Sequence, residues 1–187
     1  MPAETTIALT APPAIDPKAA MIARTERISV GRPPAEVFAY VVGGPLEKMI
    51  PVTSQLPGVT GTTLLTPGPW GGVGERRHVH LSDGSQTTEQ VLDFVPNTHF
   101  RYEVWDYSTA AGKPIAYALG AFHFRPLEDG RTEIAWTYAF RLKGGMFPGN
   151  LGAVGRWLMR QVFIDTAYAR LMRASLSAIK ASLEAGA

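Results

Sequence analysis

The sequence predicts an α+β domain in which one curved antiparallel sheet of about seven strands wraps around a long C-terminal helix, with two short helices after the first strand. Three observations predict it. Thr132 to Leu142 alternates, with Ile134, Trp136, Tyr138, Phe140 and Leu142 on one face, as a half-buried strand requires. Val154, Leu158, Val162, Ala169, Met172, Leu176, Ile179 and Leu183 form one helical stripe. Between residues 59 and 142, short alternating segments are separated by turn signals and never by a helix.

The elements follow in order. Residues 1–22 carry Pro2, Pro12, Pro13 and Pro17 and read as a disordered tail or as an arm for a partner subunit, leaving residues 23–187 as the domain. Arg24 to Gly31 is a first strand, with Ile28 and Val30 alternating. Pro33 and Pro34 sit where a helix start tolerates proline. Val37, Phe38, Val41 and Val42 then have helical spacing, and Gly43-Gly44 ends the helix. Pro45 to Ile50 makes a second, stopped by Pro51.

Val59 to Thr66 is β-branched, and a Gly/Pro turn over 67–74 leads to a strand at Glu75 to Leu81. Ser82-Asp83-Gly84-Ser85 is a hairpin turn into Gln86 to Val95. Phe100, Tyr102 and Val104 alternate with Arg101, Glu103 and Trp105. Strands at Ile115 to Arg125 and Thr132 to Leu142 complete the sheet. The final helix, about Leu151 to Leu183, would span roughly 45 Å at ~1.5 Å per residue, enough to cross the domain. A sheet curled around one helix leaves space between them, so an internal cavity is expected.

Composition excludes several classes. The 187 residues are 45% hydrophobic, 10% aromatic and 18% charged, which excludes wholesale disorder. A net charge of +2 without like-charge runs speaks against a nucleic-acid partner. No cysteine is present, so disulfides, thiolate metal sites and a cysteine nucleophile are excluded. No apolar run approaches the length of a membrane span, and the first residues lack a secretory pattern, so a cytoplasmic location is expected.

The arrangement resembles the helix-grip fold of the START/Bet v 1-like (SRPBCC) superfamily, and is most similar to its polyketide cyclase/dehydrase-like group. The stretches that carry the likeness are RTERISVGRPPAEVFAYV, PGVTG, GPWGGVGERRHVHLSDGS, TTEQVLDFVPNTHFRYEV and GRTEIAWTYAFRLK. With the final helix they cover about residues 24–184. The resemblance implies a deep pocket for a hydrophobic or aromatic small molecule. Members range from lipid carriers and hormone receptors to cyclases, so it implies a cavity rather than a reaction.

Alternation sorts the candidate side chains. Val73, Glu75, Arg77, Val79 and Leu81 share a face, which sends Arg77, and with it Glu75, toward the cavity. Arg77 there either holds a ligand oxygen or forms an ion pair that fixes the sheet. His78 and His80 share the opposite face, but no acidic cluster completes a metal site, and no metal or cofactor is expected. His99 and His123 read as structural. Asp165 falls within the apolar helix stripe, where it needs a partner, acts as a base, or meets water at the pocket mouth.

Phe100, Tyr102, Tyr117, Trp136, Tyr138 and Phe140 form the expected aromatic wall, with tyrosines able to donate to a ligand carbonyl. Met49, Trp70, Met146 and Phe147 suit an adaptable entrance. Trp105 and Tyr107 fall on the other face, where a homodimer contact would cover them. The glycine-rich segments lack the residues of a phosphate loop, and no nucleophile-elbow or zinc-protease motif occurs.

The expected function is binding of a small aromatic, lipid-like or polyketide-like ligand by Arg77, Tyr102, Tyr117, Trp136, Tyr138, Leu158 and Val162. One alternative is a cyclase or dehydratase using Asp165 and Arg77. Another is an interaction module acting through Trp105, Tyr107 and the tail.

Overall fold

The computed structural model of the chain describes residues 10–185. The elements are β1 (Ile22–Val30), α1 (Pro34–Gly43), α2 (Leu46–Met49), β2 (Val59–Leu64), β3 (Arg76–Leu81), β4 (Gln86–Val95), β5 (His99–Trp105), β6 (Ile115–Pro126) and β7 (Thr132–Leu142). A short 3₁₀ turn (Gly149–Leu151) leads into α3 (Gly152–Met159), a π-helical segment (Arg160–Tyr168) and α4 (Ala169–Glu184). The seven strands form one sheet in the order β1-β7-β6-β5-β4-β3-β2, with every neighbouring pair antiparallel. This is the helix-grip arrangement: the C-terminal helix lies in the sheet's concave face, and α1 and α2 carry the chain from edge strand β1 to edge strand β2. Residues 1–9 of the expected tail lie outside the described residues, and β1 begins at Ile22.

The alternation of β7 holds without exception. Ile134, Trp136, Tyr138, Phe140 and Leu142 are all buried. Trp136 stacks on Phe122 of β6 with ring centres 5.1 Å apart and planes 8° from parallel. Gly120 pairs with Tyr102, and a Cβ at Gly120 would overlap the Tyr102 ring. The glycine therefore lets that ring lie flat across β6.

The helix departs from its expected stripe. Leu176, Ile179 and Met172 are buried as expected, but Val154 and Val162 are exposed and Leu158 is only half-buried. The π segment is the cause. Its i→i+5 bonding takes up an extra residue, which rotates everything N-terminal to it relative to α4. The buried side steps back from Met172 through Tyr168 and Ile164 to Met159 and Gly155, so the stripe through Val154, Val162 and Asp165 turns outward.

Besides register breaks at Val59/Gly61 and Val91/Asp93, two strand features break parity at expected site residues. A bulge between Ile115 and Tyr117 sends Ile115 into the core and Tyr117 to the convex face. Asp106, just after β5, has a positive φ of 54° and turns Tyr107 back toward the interior. The convex face nevertheless buries Glu103, Trp105 and Tyr117. The aromatic pair expected to offer an exposed dimer contact is therefore not exposed: Trp105 is 2% accessible and Tyr107 lines the interior.

Burial raises the Glu103 carboxyl from its ordinary 4.5 to about 7. Below pH 4.5 both folded and unfolded chains hold that proton, so burial carries no ionic cost. As pH rises toward 7 only the unfolded chain releases it, and above 7 the folded state loses up to about 3 kcal/mol. Glu103→Gln is therefore expected to raise the urea midpoint at pH 8 and to leave it near wild type at pH 4. Equal gains at both pH values would contradict this account.

Candidate functional site

Between the concave face and the C-terminal helix lies a cavity of about 170 Å³. Its wall is built by β-strand alternation. Phe100, Tyr102 and Val104 come from β5, Trp136, Tyr138 and Phe140 from β7, and Phe122 from β6. Phe163 and Tyr168 face them from the π segment, and Tyr168 meets Phe140 edge-on at 4.8 Å and Tyr138 at 5.0 Å. Leu56 and Pro57, with Thr109, Ala111 and Gly112, contribute from two loops.

Polar groups collect on the β3–β4 side. Arg77 Nε donates to Glu89 Oε2 at 2.9 Å, and its Nη2 lies 2.8 Å from the same oxygen. Both side chains are buried and both line the cavity. Their pairing follows from the Asp83-Gly84 hairpin, whose register sets Arg77 opposite Glu89 on the inward face. Trp70 lies over the guanidinium with its ring centre 3.8 Å from Cζ, which shields the pair on one side.

Tyrosines extend this polar region. Trp136 Nε1 donates to the Tyr102 hydroxyl at 3.1 Å, which leaves that hydroxyl its own proton to donate. The Tyr107 hydroxyl is buried beside the Tyr138 phenol and makes no hydrogen bond of full geometry among the described residues. Burial pushes the phenols of Tyr102, Tyr107, Tyr138 and Tyr168 well above their ordinary value, with the Glu89 carboxylate adding to the effect. They are therefore held protonated, as hydrogen-bond donors rather than bases.

Of the residues expected at the site, the fold brings Arg77, Tyr102, Trp136 and Tyr138 together. Tyr117 lies on the convex face because of the β6 bulge. Leu158, Val162 and Asp165 lie away from the cavity wall because the π segment rotates them out. Asp165 instead accepts from Arg24 Nη1 at 2.7 Å, with Arg160 at 3.9 Å, in a surface ion-pair group. Glu75 folds back on its own loop and accepts from the Gly72 amide at 3.1 Å.

Sequence reasoning missed Glu89, Tyr107, Phe163 and Tyr168. Counting back from the Asp83-Gly84 turn would have found Glu89. His78 and His80 point outward and meet Thr88 and Thr63 at 3.2 and 2.7 Å. Among the described residues no group of three or more His, Asp or Glu is placed to hold a metal ion.

Removing one member of the Arg77–Glu89 pair strands the other as a buried charge. Arg77→Met and Glu89→Gln are each expected to lower unfolding free energy by about 3 kcal/mol. The double variant Arg77→Met/Glu89→Gln should lose less than the sum of the two single losses. A urea-unfolding double-mutant cycle reads the coupling, and strict additivity would show that the pair does not act as a unit.

No curated protein matches the sequence significantly. Among solved structures, the di-domain ARO/CYC StfQ from the steffimycin biosynthetic pathway aligns with a TM-score of 0.64 at 16% identity, covering 89% of this chain and 52% of that one. A norcoclaurine synthase point mutant from Thalictrum flavum, in complex with a transition-state analogue, aligns at 0.63 with 11% identity over 91% and 99% of the chains. Ara h 8.0201 aligns at 0.60 with 14% identity over 89% and 99%. At such identities these likenesses establish the shared fold. Residues 21–184 match the family model described as polyketide cyclase/dehydrase and lipid transport, and the chain belongs to that family.

Proposed function

We propose that the protein binds a small, mostly apolar molecule of one or two rings that carries a hydrogen-bond acceptor. The buried Tyr107 hydroxyl carries this reading: it lines an apolar wall and has only the neighbouring Tyr138 phenol beside it, with no hydrogen bond of full geometry. A buried donor left unsatisfied is costly, and a ligand carbonyl or hydroxyl would satisfy it. The volume sets the size class. A cavity of about 150 Å³ accommodates benzene, so 170 Å³ suits one ring or a compact pair. Arg77 and Tyr102 stand across the same cavity and favour an oxygen at the polar end. The absence of cysteine fits action in a reducing cytoplasm.

A cyclase or dehydratase reading is favoured by one observation. Glu89 places a carboxylate at the wall of the apolar cavity, where a bound substrate's proton could reach it. In this scheme Glu89 is the proton acceptor, Arg77 holds the developing oxyanion, and the aromatic wall folds the substrate. Asp165, on the outer surface and paired with Arg24, has no part in it.

Titration with 1-tetralone followed by native mass spectrometry tests the binding reading. One ketone per chain is expected, with affinity reduced roughly threefold to tenfold in Tyr107→Phe. No saturable binding of one- or two-ring ketones would reject it. Loss of turnover in Glu89→Gln with ligand still bound would favour the enzyme, whereas ligand recovered unchanged from wild type would favour a carrier.

A further inference from the structure

The rotation imposed by the π segment leaves an apolar stripe on the outside of α3. Val154, Trp157 and Val162 follow one another along it, with Leu151 one turn earlier and Met146 and Phe147 in the preceding loop. Phe147, Val154, Trp157 and Val162 are each between 61 and 67% exposed. Scattered exposed apolar residues need no explanation, but a contiguous set does.

Charge identifies what the stripe meets. Between residues 141 and 170 the cations Arg141, Lys143, Arg156, Arg160 and Arg170 stand against one acid, Asp165. This segment carries +4, whereas the whole chain carries +2. Asp165 is itself already engaged by Arg24. A second copy of the chain docking here about a twofold axis would set two such cationic regions against each other. An anionic partner is favoured instead.

The stripe lies on a convex helix and carries aliphatic tips around one tryptophan, a form suited to a soft hydrocarbon boundary beneath charged headgroups. We infer that the Met146–Phe147 loop and the outer face of α3 dock the protein on an anionic lipid surface. No helix among the described residues is long and apolar enough to cross a membrane, so the attachment is peripheral.

The position of the surface gives docking a use. The Lys143 amide donates to Pro114 O at 2.8 Å, tying this loop to the one carrying Thr109 and Gly112 on the cavity wall. Arg170 reaches Gln55 at 2.7 Å, next to Leu56 and Pro57 on the same wall. An apolar ligand would thus pass between bilayer and cavity by a short path. Docking itself rests on exposed side chains and charge, and does not require the ligand reading to hold.

Co-sedimentation of the full chain with vesicles tests it. Binding is expected to phosphatidylcholine vesicles that contain phosphatidylglycerol, about tenfold weaker binding to phosphatidylcholine alone, and loss of binding in high salt. Phe147→Ser/Trp157→Ser and, separately, Lys143→Glu/Arg156→Glu should each weaken binding by about tenfold or more with unchanged far-UV circular dichroism. The proposal is overturned if the anionic vesicles are not bound, or if both folded variants bind as wild type does. It is equally overturned if light scattering shows a dimer that Trp157→Ser dissociates, because the stripe is then an interface between copies. Vesicle binding is read without any ketone, so its failure leaves the cavity result standing, and the reverse.

Discussion

One extra residue taken up by the C-terminal helix decides which of its side chains meet the sheet. A regular α-helix through residues 151–184 would put the Val154–Val162–Asp165 stripe against the aromatic wall. The π segment turns that stripe to solvent and brings Phe163, Ile164 and Tyr168 inward. It replaces a carboxylate facing hydrocarbon, which would be costly, with aromatic rings that pack on Phe140 and Tyr138. Asp165 meanwhile finds Arg24 at the β1 edge, where solvent and a counter-ion are both at hand. The same rotation creates the aromatic lid of the cavity and the exposed apolar stripe on the other side of the helix.

The polar end of the cavity obeys a different constraint. A lone arginine facing that wall would need a partner, and the hairpin register supplies Glu89 directly opposite. Because the pair is internally satisfied, it leaves no unpaired charge at the cavity wall. The phenols, held protonated by burial, supply donors where Arg77 is already committed. The site therefore presents an aromatic wall with donors gathered at one end. That polarity would orient an asymmetric ligand and not merely enclose it.

Much of this was legible in the sequence because β7 alternates strictly and the apolar residues of β5 fall on the concave face. Ile134 to Leu142 and Phe100 to Val104 could be sorted by counting in twos, and Arg77, Tyr102, Trp136 and Tyr138 were placed correctly on that basis. Tyr117 and Tyr107 lie on other faces than counting in twos expects, and Asp165 takes the ion-pair alternative in place of the catalytic one, for one common reason. Each lies beside or within a local change of period: a bulge, a left-handed residue, and a wider helical turn. Such changes depend on tertiary packing and leave no composition signature; Asp106 is an ordinary-looking loop residue. Glu89 is different, since hairpin counting held the information.

These three departures do not fall at random along the chain. The Asp106 turn ends β5, the bulge opens β6, and the π segment faces the end of β7, where Ile115 pairs with Leu142. All three lie at one end of the sheet, around the loops that bear Thr109, Gly112 and the Lys143–Pro114 bond. The opposite end of β6 and β7 keeps regular pairing through Pro126 and Thr132. The sheet breaks register twice more, within β4 between Val91 and Asp93 and in β2 between Val59 and Gly61. Locally costly geometry persists where something other than packing selects it. The irregular end of β6 and β7 holds the buried phenol of Tyr107 and adjoins the cationic apolar stripe, so the breaks in pattern and the candidate site's loops lie together.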